Sequence, residues 1–400
     1  MENIDLHLLD KKYYLPTFNR IPITFVKGKG SKLWDIENRE YIDMLAGIAV
    51  TNVGHCHPKV VKAIQDQAGE LMHISNFFVS PIQVALSELL VKISSMDRVF
   101  FTNSGAESVE GAIKIARRYA HSIGRGGKII SMENSFHGRT LATIATGQPK
   151  YQQGFGPIPH GFSQVPFNDL EAVRNVISEE VAGIIVEPIQ GEGGIKLADK
   201  AYLEGLRQIC DENNVALIFD EIQSGIGRTG HWFAKDHYGV QPDILTSAKG
   251  LGGGMPIGAL LCNEKIAGAI QFGDHGTTFG GNPLAASASM ATLKVIVEEN
   301  LTKEAKEKGE WLMEKLNSLK EKYSTIKEVR GMGLMIGIEL NEPALPYMQQ
   351  LLQEGFVANA TAVNVLRLVP ALNISREELE SFLLALEKVF IMKKELTNAQ

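Results

Sequence analysis

Val215-Ala-Leu-Ile-Phe-Asp-Glu-Ile-Gln, followed downstream by Asp243-Ile-Leu-Thr-Ser-Ala-Lys-Gly-Leu-Gly-Gly-Gly, is the pair of stretches that decides the fold. Val215 to Phe219 is apolar without alternation and closes on a carboxylate, which predicts a short strand buried on both faces, as in a mostly parallel sheet. Asp220 then stands at the carboxyl end of its strand, where open α/β sheets present their ligands. Lys249 belongs with it chemically. A lysine amine can condense with an aldehyde, and a carboxylate can keep a pyridine nitrogen protonated, so that the ring withdraws electrons from a carbanion. Each residue alone has an ordinary explanation, a common strand ending or a solvated lysine before glycines.

The same pattern extends outward. Arg98-Val-Phe-Phe-Thr, Lys128-Ile-Ile-Ser, Ala182-Gly-Ile-Ile-Val-Glu and Ile257-Gly-Ala-Leu-Leu-Cys are further strands, alternating with helical stretches at Val60 to Leu71 and Ala106 to Ala120. Thr24-Phe-Val and Leu33-Trp-Asp flank the turn-forming Lys27-Gly-Lys-Gly and predict a hairpin. The expected organisation is an α/β chain with an N-terminal segment at 1–50 packing beside the site. A large domain spans 51–300 and a smaller α+β domain 301–400, after a long helix from Pro283 to Glu299.

Composition narrows the function classes. The chain of 400 residues is 44% hydrophobic and carries 40 basic against 46 acidic side chains, with no long basic run, so nucleic acid is not an expected partner. No apolar stretch approaches the ~20 residues of a membrane helix, and Met1-Glu-Asn-Ile-Asp does not resemble a secretory signal; a cytoplasmic location is expected. The three cysteines, odd in number and far apart, argue against a disulfide framework. His55-Cys56-His57 has the wrong spacing for a tetrahedral zinc site and reads as a turn closed by Pro58, so no metal is expected.

Five further fragments carry a resemblance. Ser104-Gly-Ala-Glu-Ser, Ser135-Phe-His-Gly-Arg-Thr, Val186-Glu-Pro-Ile-Gln-Gly-Glu-Gly-Gly, Asp220-Glu-Ile-Gln-Ser-Gly-Ile-Gly-Arg-Thr-Gly and Thr277-Thr-Phe-Gly-Gly-Asn-Pro resemble, in that order, the motifs of class III pyridoxal-phosphate aminotransferases, from about Phe18 to Pro370. Ala46-Gly-Ile-Ala-Val, Gly54-His-Cys-His-Pro and Asn364-Val-Leu-Arg-Leu-Val-Pro are most like the acetylornithine branch of that class. The resemblance implies a fold-type I transferase, pyridoxal 5'-phosphate as cofactor, and transfer of a terminal amino group from an N-acylated diamino acid to 2-oxoglutarate, as in arginine biosynthesis.

The resemblance also implies roles. Lys249 would carry the cofactor and move protons, and Asp220 would hold the ring nitrogen. Ser104, Gly105 and Ala106, at a strand-to-helix junction, could cap the helix or cradle a phosphate by their own chemistry; the resemblance favours the phosphate. Phe136 would lie on the ring face and Gln223 would bond the phenolic oxygen, while Glu221, Ile222 and Thr278 complete the implied cofactor contacts. Arg139 and Arg367 resemble carboxylate-binding arginines, a pair suited to a dicarboxylate. Glu192 would mask Arg367 while the amino donor is bound, and Thr277 would lie near the substrate. The loop bearing Thr277 and Thr278 reaches into a neighbouring subunit's site in that class, which implies at least a homodimer.

Two departures favour an acylated donor. Phe18 and Ile48 stand where ornithine enzymes carry tyrosines, and neither can hydrogen-bond an amine or carboxylate. Ser224 replaces the more usual threonine, a change expected to be tolerated. The rival readings are an ornithine, 4-aminobutyrate, succinyl-ornithine or acyl-lysine aminotransferase, then a pyridoxal-phosphate aminomutase, then a cofactor-binding regulator. The glycines after Lys249 lack a P-loop ending, and Gly331-Met-Gly-Leu-Met-Ile-Gly does not fit the dinucleotide fingerprint.

Overall fold

The computed structural model describes residues 5–398. Its centre is a seven-stranded sheet in the order Arg98–Thr102, Gly258–Cys262, Ile244–Ser247, Ala216–Asp220, Val181–Val186, Lys128–Met132, Phe162–Val165. Only Gly258–Cys262 runs antiparallel to its neighbours. Every residue of the four strands from Val181–Val186 through Gly258–Cys262 is buried, which explains why they read as unbroken apolar runs. Each fully buried Ile or Leu among them contributes about 1.5–3 kcal/mol of transfer free energy. Helices cover both faces: Gly105–Ser122 packs on Val181–Val186 and Gly258–Cys262, and Lys200–Asn213 supplies Leu203, Leu206 and Ile209 to a second core. This is the fold-type I architecture.

A second sheet, Ile326–Met332, Met335–Leu340, Val365–Leu368 and Asn359–Thr361, is antiparallel throughout and rests against the helices Leu301–Lys322 and Arg376–Asn398. The expected hairpin forms from Phe25–Lys29 and Lys32–Asp35 and is extended by Glu40–Asp43. Its far edge pairs in parallel with Phe356–Val357, a contact across more than three hundred residues that short-range pattern cannot reveal. The helix Pro283–Glu298 connects the two regions. Cys56, Cys210 and Cys262 are unpaired. His55 and His57 turn to different carboxylates, those of Asp43 at 2.7 Å and Glu299 at 3.0 Å. Among the described residues no helix is long and apolar enough to cross a membrane.

Arg330 fastens the second sheet to the loop at Gly194 and Ile195, which follows the central strand Val181–Val186. Its Nε and Nη2 donate to the carbonyls of Gly194 and Ile195, while Nη1 pairs with Glu339 at 2.6 Å. Burial works to raise the Glu339 carboxyl, but hydrogen bonds from Lys327, Arg330 and Lys196 outweigh it and hold it at about 2, against an ordinary 4.5. Because the folded value lies below the unfolded one, the stabilisation is complete above pH 4.5 and is lost as pH falls through about 2. Glu339→Gln should therefore cost about 3 kcal/mol at neutral pH, and the difference in Tm from wild type should shrink in thermal melts taken from pH 4.5 downward. A difference that stays constant with pH contradicts the assignment.

Candidate active site

Five parallel strands end along one edge of the central sheet, and the residues just beyond them converge. Ser104 follows Arg98–Thr102, Phe136 follows Lys128–Met132, Glu187 follows Val181–Val186, Asp220 closes Ala216–Asp220, and Lys249 follows Ile244–Ser247. All five line a cavity of about 420 Å³, together with Gly105, Ala106, Arg139, Ile222 and Gln223. Convergence at the carboxyl ends is the placement that an open α/β sheet offers a ligand.

The centre of the cavity is electrostatically prepared. Asp220 Oδ2 pairs with His137 Nδ1 at 2.7 Å, and Oδ1 accepts from Thr246 Oγ1 at 3.2 Å and the Ile222 amide at 3.1 Å. Burial alone works to lower the pKa of His137, but the bond to Asp220 overrides it and raises the imidazole above its ordinary value. Burial pushes the Glu187 carboxyl up to about 7, against the opposing pull of His137. Its two oxygens accept from the amides of Phe136 at 3.0 Å and Gly191 at 3.3 Å. Lys249 opens on the cavity at a backbone φ of +44°, and burial, aided by the charge of Arg367, lowers its ammonium pKa. A lysine so placed carries more free amine near neutrality than one in water.

At one end of the cavity the helix Gly105–Ser122 begins. Ser104 Oγ accepts from the Glu107 amide at 3.2 Å, so it does cap the helix, and its own hydrogen remains able to donate. A Cβ on Gly105 would stand 2.8 Å from Ile222 Cδ1, which limits this turn to glycine. Arg139 also lines the cavity, whereas Arg367 and Glu192 lie outside its lining and meet it at Gln223. The exposed Arg139 guanidinium lies 4.2 Å from the Tyr151 ring centroid and 5.4 Å from that of Phe136, with no carboxylate paired to it among the described residues. Arg367 is 1% exposed; its Nη1 meets Glu192 Oε1 and lies 3.3 Å from Gln223 Oε1, while Nη2 donates to Asn359 Oδ1 at 2.8 Å. Burial raises the Glu192 carboxyl, but Arg367 more than reverses this and holds it below its ordinary value. A Cβ on Gly191 would come within 2.5 Å of the Gln223 amide, so the Glu192 loop approaches Gln223 only because of that glycine.

The family model for class-III aminotransferases matches residues 13–390. The chain belongs to the class-III aminotransferases. It is 54% identical, over 96% of its length and 97% of the relative's, to the acetylornithine aminotransferase of Methanocaldococcus jannaschii. The acetylornithine aminotransferase of Elizabethkingia anophelis superposes with a TM-score of 0.87 at 34% identity, covering 97% of this chain and 98% of that one. The ornithine aminotransferase of Toxoplasma gondii, whose structure has partial occupancy of PLP at its active site, gives a TM-score of 0.93 at 34% identity, covering 98% and 94%.

Class-III aminotransferases are pyridoxal-phosphate enzymes, and the donor set fits that cofactor. The cavity of this aminotransferase offers an amine for the aldehyde, a buried carboxylate for the ring nitrogen, an aromatic ring for a flat face, and a helix start for the phosphate.

Other expected residues lie elsewhere. Glu221 is fully buried and points away, its carboxylate taken by the amides of Ala234 and Lys235 and by Ser224 Oγ at 3.0 Å, so it fastens the loop and does not line the cavity. Ser224 supplies that bond as a serine. Thr277 Oγ1 accepts from the Gly280 amide and from Asn103 Nδ2 at 3.3 Å, which links it to the cavity rim; Thr278 is exposed and outside the lining. Neither Phe18, 70% exposed, nor Ile48 lines the cavity, whose apolar wall here is Val50, Met255 and Ile257. His137, Glu187, Asn103 and Asn359 were not singled out from sequence. Two of them, His137 and Glu187, sit inside quoted motifs, and that was the available signal.

Borohydride reduction of the loaded enzyme should fix the cofactor to the peptide carrying Lys249. Lys249→Ala should lose turnover by roughly 10³-fold or more while still taking up cofactor. Peptide mapping that finds the label on another lysine contradicts this.

Proposed function

We propose that this aminotransferase moves the side-chain amino group of an N-acylated ornithine, N-acetylornithine above all, to 2-oxoglutarate, yielding the semialdehyde and glutamate. That is a step of arginine biosynthesis. The observation that carries the reading is that Arg367 is paired with Glu192 beside the cavity residue Gln223, while Arg139, on the cavity lining, meets no carboxylate among the described residues. The relatives named as acetylornithine aminotransferases support it. The three unpaired thiols fit a cytoplasmic location.

When bound, pyridoxal phosphate supplies an aldehyde to receive the amino group and a ring that withdraws electrons from the carbon losing its proton. The protein's residues do the rest. Ser104, Gly105 and Ala106 hold the phosphate at the helix start, joined by Thr278 of a second copy. Asp220, oriented by His137 and Thr246, keeps the ring nitrogen protonated. Gln223 turns its Oε1 to Arg367, which leaves its NH2 to donate to the phenolic oxygen. Ile222 packs against the phosphate turn at Gly105. Lys249 Nζ, its pKa lowered by burial, takes the proton from the donor's terminal carbon and returns it at the next stage.

Arg139 grips the donor's carboxylate through paired hydrogen bonds, with Thr277 near the same substrate. While Glu192 covers Arg367, the far arginine presents no free positive charge to the incoming amine. When Glu192 turns aside, 2-oxoglutarate engages both arginines. Acylation removes the α-ammonium, so a wall of Val50, Met255 and Ile257 meets no unpaired cation. With 2-oxoglutarate as acceptor, kcat/KM should favour N-acetylornithine over ornithine and 4-aminobutyrate by at least about tenfold. Glu192→Ala should improve glutarate-like donors such as glutamate relative to the acylated one. Equal wild-type efficiencies reject the acylornithine reading.

A homodimer is part of the proposal. Phe77, Val79, Phe272 and Phe279 are exposed at 93%, 81%, 111% and 60%, and Asn76 Nδ2 ties their two loops together by donating to the carbonyls of Thr277 and Gly280. Such an apolar surface next to Thr278 supports burial against a second copy. Mixed dimers of Lys249→Ala and Thr278→Ala subunits should regain activity, because one of their two sites is then intact; proven exchange without recovery assigns Thr278 to its own chain.

A further inference from the structure

The short strand Asn359–Thr361 holds both halves of the Glu192–Arg367 pair, and it does so without a charge. Asn359 stands opposite Arg367 in the antiparallel register, and its Oδ1 accepts from Arg367 Nη2 at 2.8 Å. Gln223, another neutral amide, meets Nη1 at 3.3 Å. Arg367 Nε is buried without a partner. The only carboxylate that touches this guanidinium among the described residues is that of Glu192.

Glu192 is anchored differently. Its carbonyl accepts from Thr361 Oγ1 at 3.0 Å, the preceding amide of Gly191 donates to Glu187 at 3.3 Å, and the carbonyl of Gly194 accepts from Arg330 Nη2 at 2.6 Å. The backbone is pinned on both sides, whereas the Glu192 side chain is 23% exposed. The anchors bear on the backbone and leave the carboxylate, among the described residues, held by Arg367 alone.

We propose that Asn359 is a positioning residue that lets one arginine serve two unlike substrates, its amide oxygen holding the Arg367 guanidinium in place without cancelling its charge. The proposal rests on the reading that Glu192 and a substrate carboxylate take turns on Arg367. A carboxylate at 359 would be isosteric and would orient the guanidinium equally well, but it would also pair with it permanently. Once Glu192 turned away, the arginine would already be neutralised. With an amide there, departure of Glu192 leaves a buried, oriented and unpaired cation, which is a strong recognition element for a dicarboxylate. Asparagine thus makes the positive charge conditional on Glu192 alone.

The test uses the enzyme loaded with pyridoxal phosphate. Glutarate, a dicarboxylate that cannot be turned over, is titrated by calorimetry into wild type, Asn359→Asp and Asn359→Ala. The two half-reactions are then followed separately through the absorbance of the bound cofactor, one with N-acetylornithine and the other with 2-oxoglutarate. Asn359→Asp should raise the glutarate Kd and the 2-oxoglutarate KM by about tenfold or more, because its carboxylate competes with the ligand's for Arg367, and should impair the acylated donor's half-reaction much less. Asn359→Ala, which removes the acceptor without adding charge, should also weaken glutarate, by roughly threefold or more. Equal losses in both half-reactions for Asn359→Asp, or unchanged glutarate binding in either variant, overturn the proposal. If Asn359→Asp does not fold, the alanine variant decides alone. Arg367→Ala separates the two levels: if it binds glutarate as tightly as wild type, the exchange on Arg367 itself is wrong and both readings fall together.

Discussion

Arg228 is wholly buried, and among the described residues no carboxylate pairs with it. Its guanidinium donates to the carbonyls of Leu334 and Pro370 and to Asn52 Oδ1, so a single cation gathers three regions far apart in sequence. Burial drives its pKa down to about 9, which still leaves it charged near neutrality, and a charged group in such a place is tolerable only while those acceptors stay within reach. The loop that begins at Asp220 and Gln223 ends at Arg228. The N-terminal segment contributes Asn52, which also donates to the Ile226 carbonyl at 2.8 Å. The second sheet contributes Leu334 beside Met335–Leu340. The register of Arg367 against Gln223 and Glu192 therefore depends on a bond network that contains none of them.

The site repeats the same constraint with a different outcome. Three arginines at the seam between the sheets are buried, and each is matched differently: Arg228 by neutral oxygens, Arg330 by Glu339 together with two backbone carbonyls, and Arg367 by two amides and one movable carboxylate. Arg228 and Arg367 each retain a buried Nε without a partner among the described residues, but only Arg367 pairs with a partly exposed carboxylate and meets the cavity residue Gln223. Lys249 feels that charge as well, since Arg367 adds to the burial that lowers its pKa and Glu192 opposes it. Turning Glu192 aside would make the lysine's surroundings more positive at the moment a dianionic acceptor enters, and the acceptor's carboxylate would restore the balance. The charges of Lys249 and Glu192 are thereby coupled through one guanidinium.

Much of this was legible in the sequence because it is local. Buried strands of a parallel sheet announce themselves as apolar runs, and the residues at their ends, Ser104, Phe136, Asp220 and Lys249, do line one cavity. The glycines inside the quoted motifs, Gly105 and Gly191, stand where a side chain has no room. What was not legible is relational. Nothing near Ile42 signals that it pairs with Phe356, and nothing near Asn359 signals a bond to Arg367, because each depends on where a distant segment docks. Glu221 misled for the opposite reason. It sits between two cavity residues, yet a side chain one position from the strand end turns to the other side, where the amides of Ala234 and Lys235 claim it.

The apolar face beside Thr278 and the neutral anchor at Asn359 point to a common principle of construction. An aminotransferase must admit two substrates of different charge to one cavity in succession, so no group there can be matched to only one of them. In the proposed reading, fixed recognition falls to Arg139, which no carboxylate among the described residues occupies, and variable recognition to Arg367, from which Glu192 would turn aside. The cost of leaving a buried cation intermittently unpaired would be offset by the hydrogen bonds that Arg367 donates to Gln223 Oε1 and Asn359 Oδ1, neither of which involves Glu192. Those bonds orient the fork before the acceptor arrives, so less binding energy is lost to ordering it. A stronger permanent partner would stabilise the fold and weaken the enzyme. The asparagine opposite Arg367 is the less stabilising choice for the isolated chain, and it is the choice that keeps the arginine available.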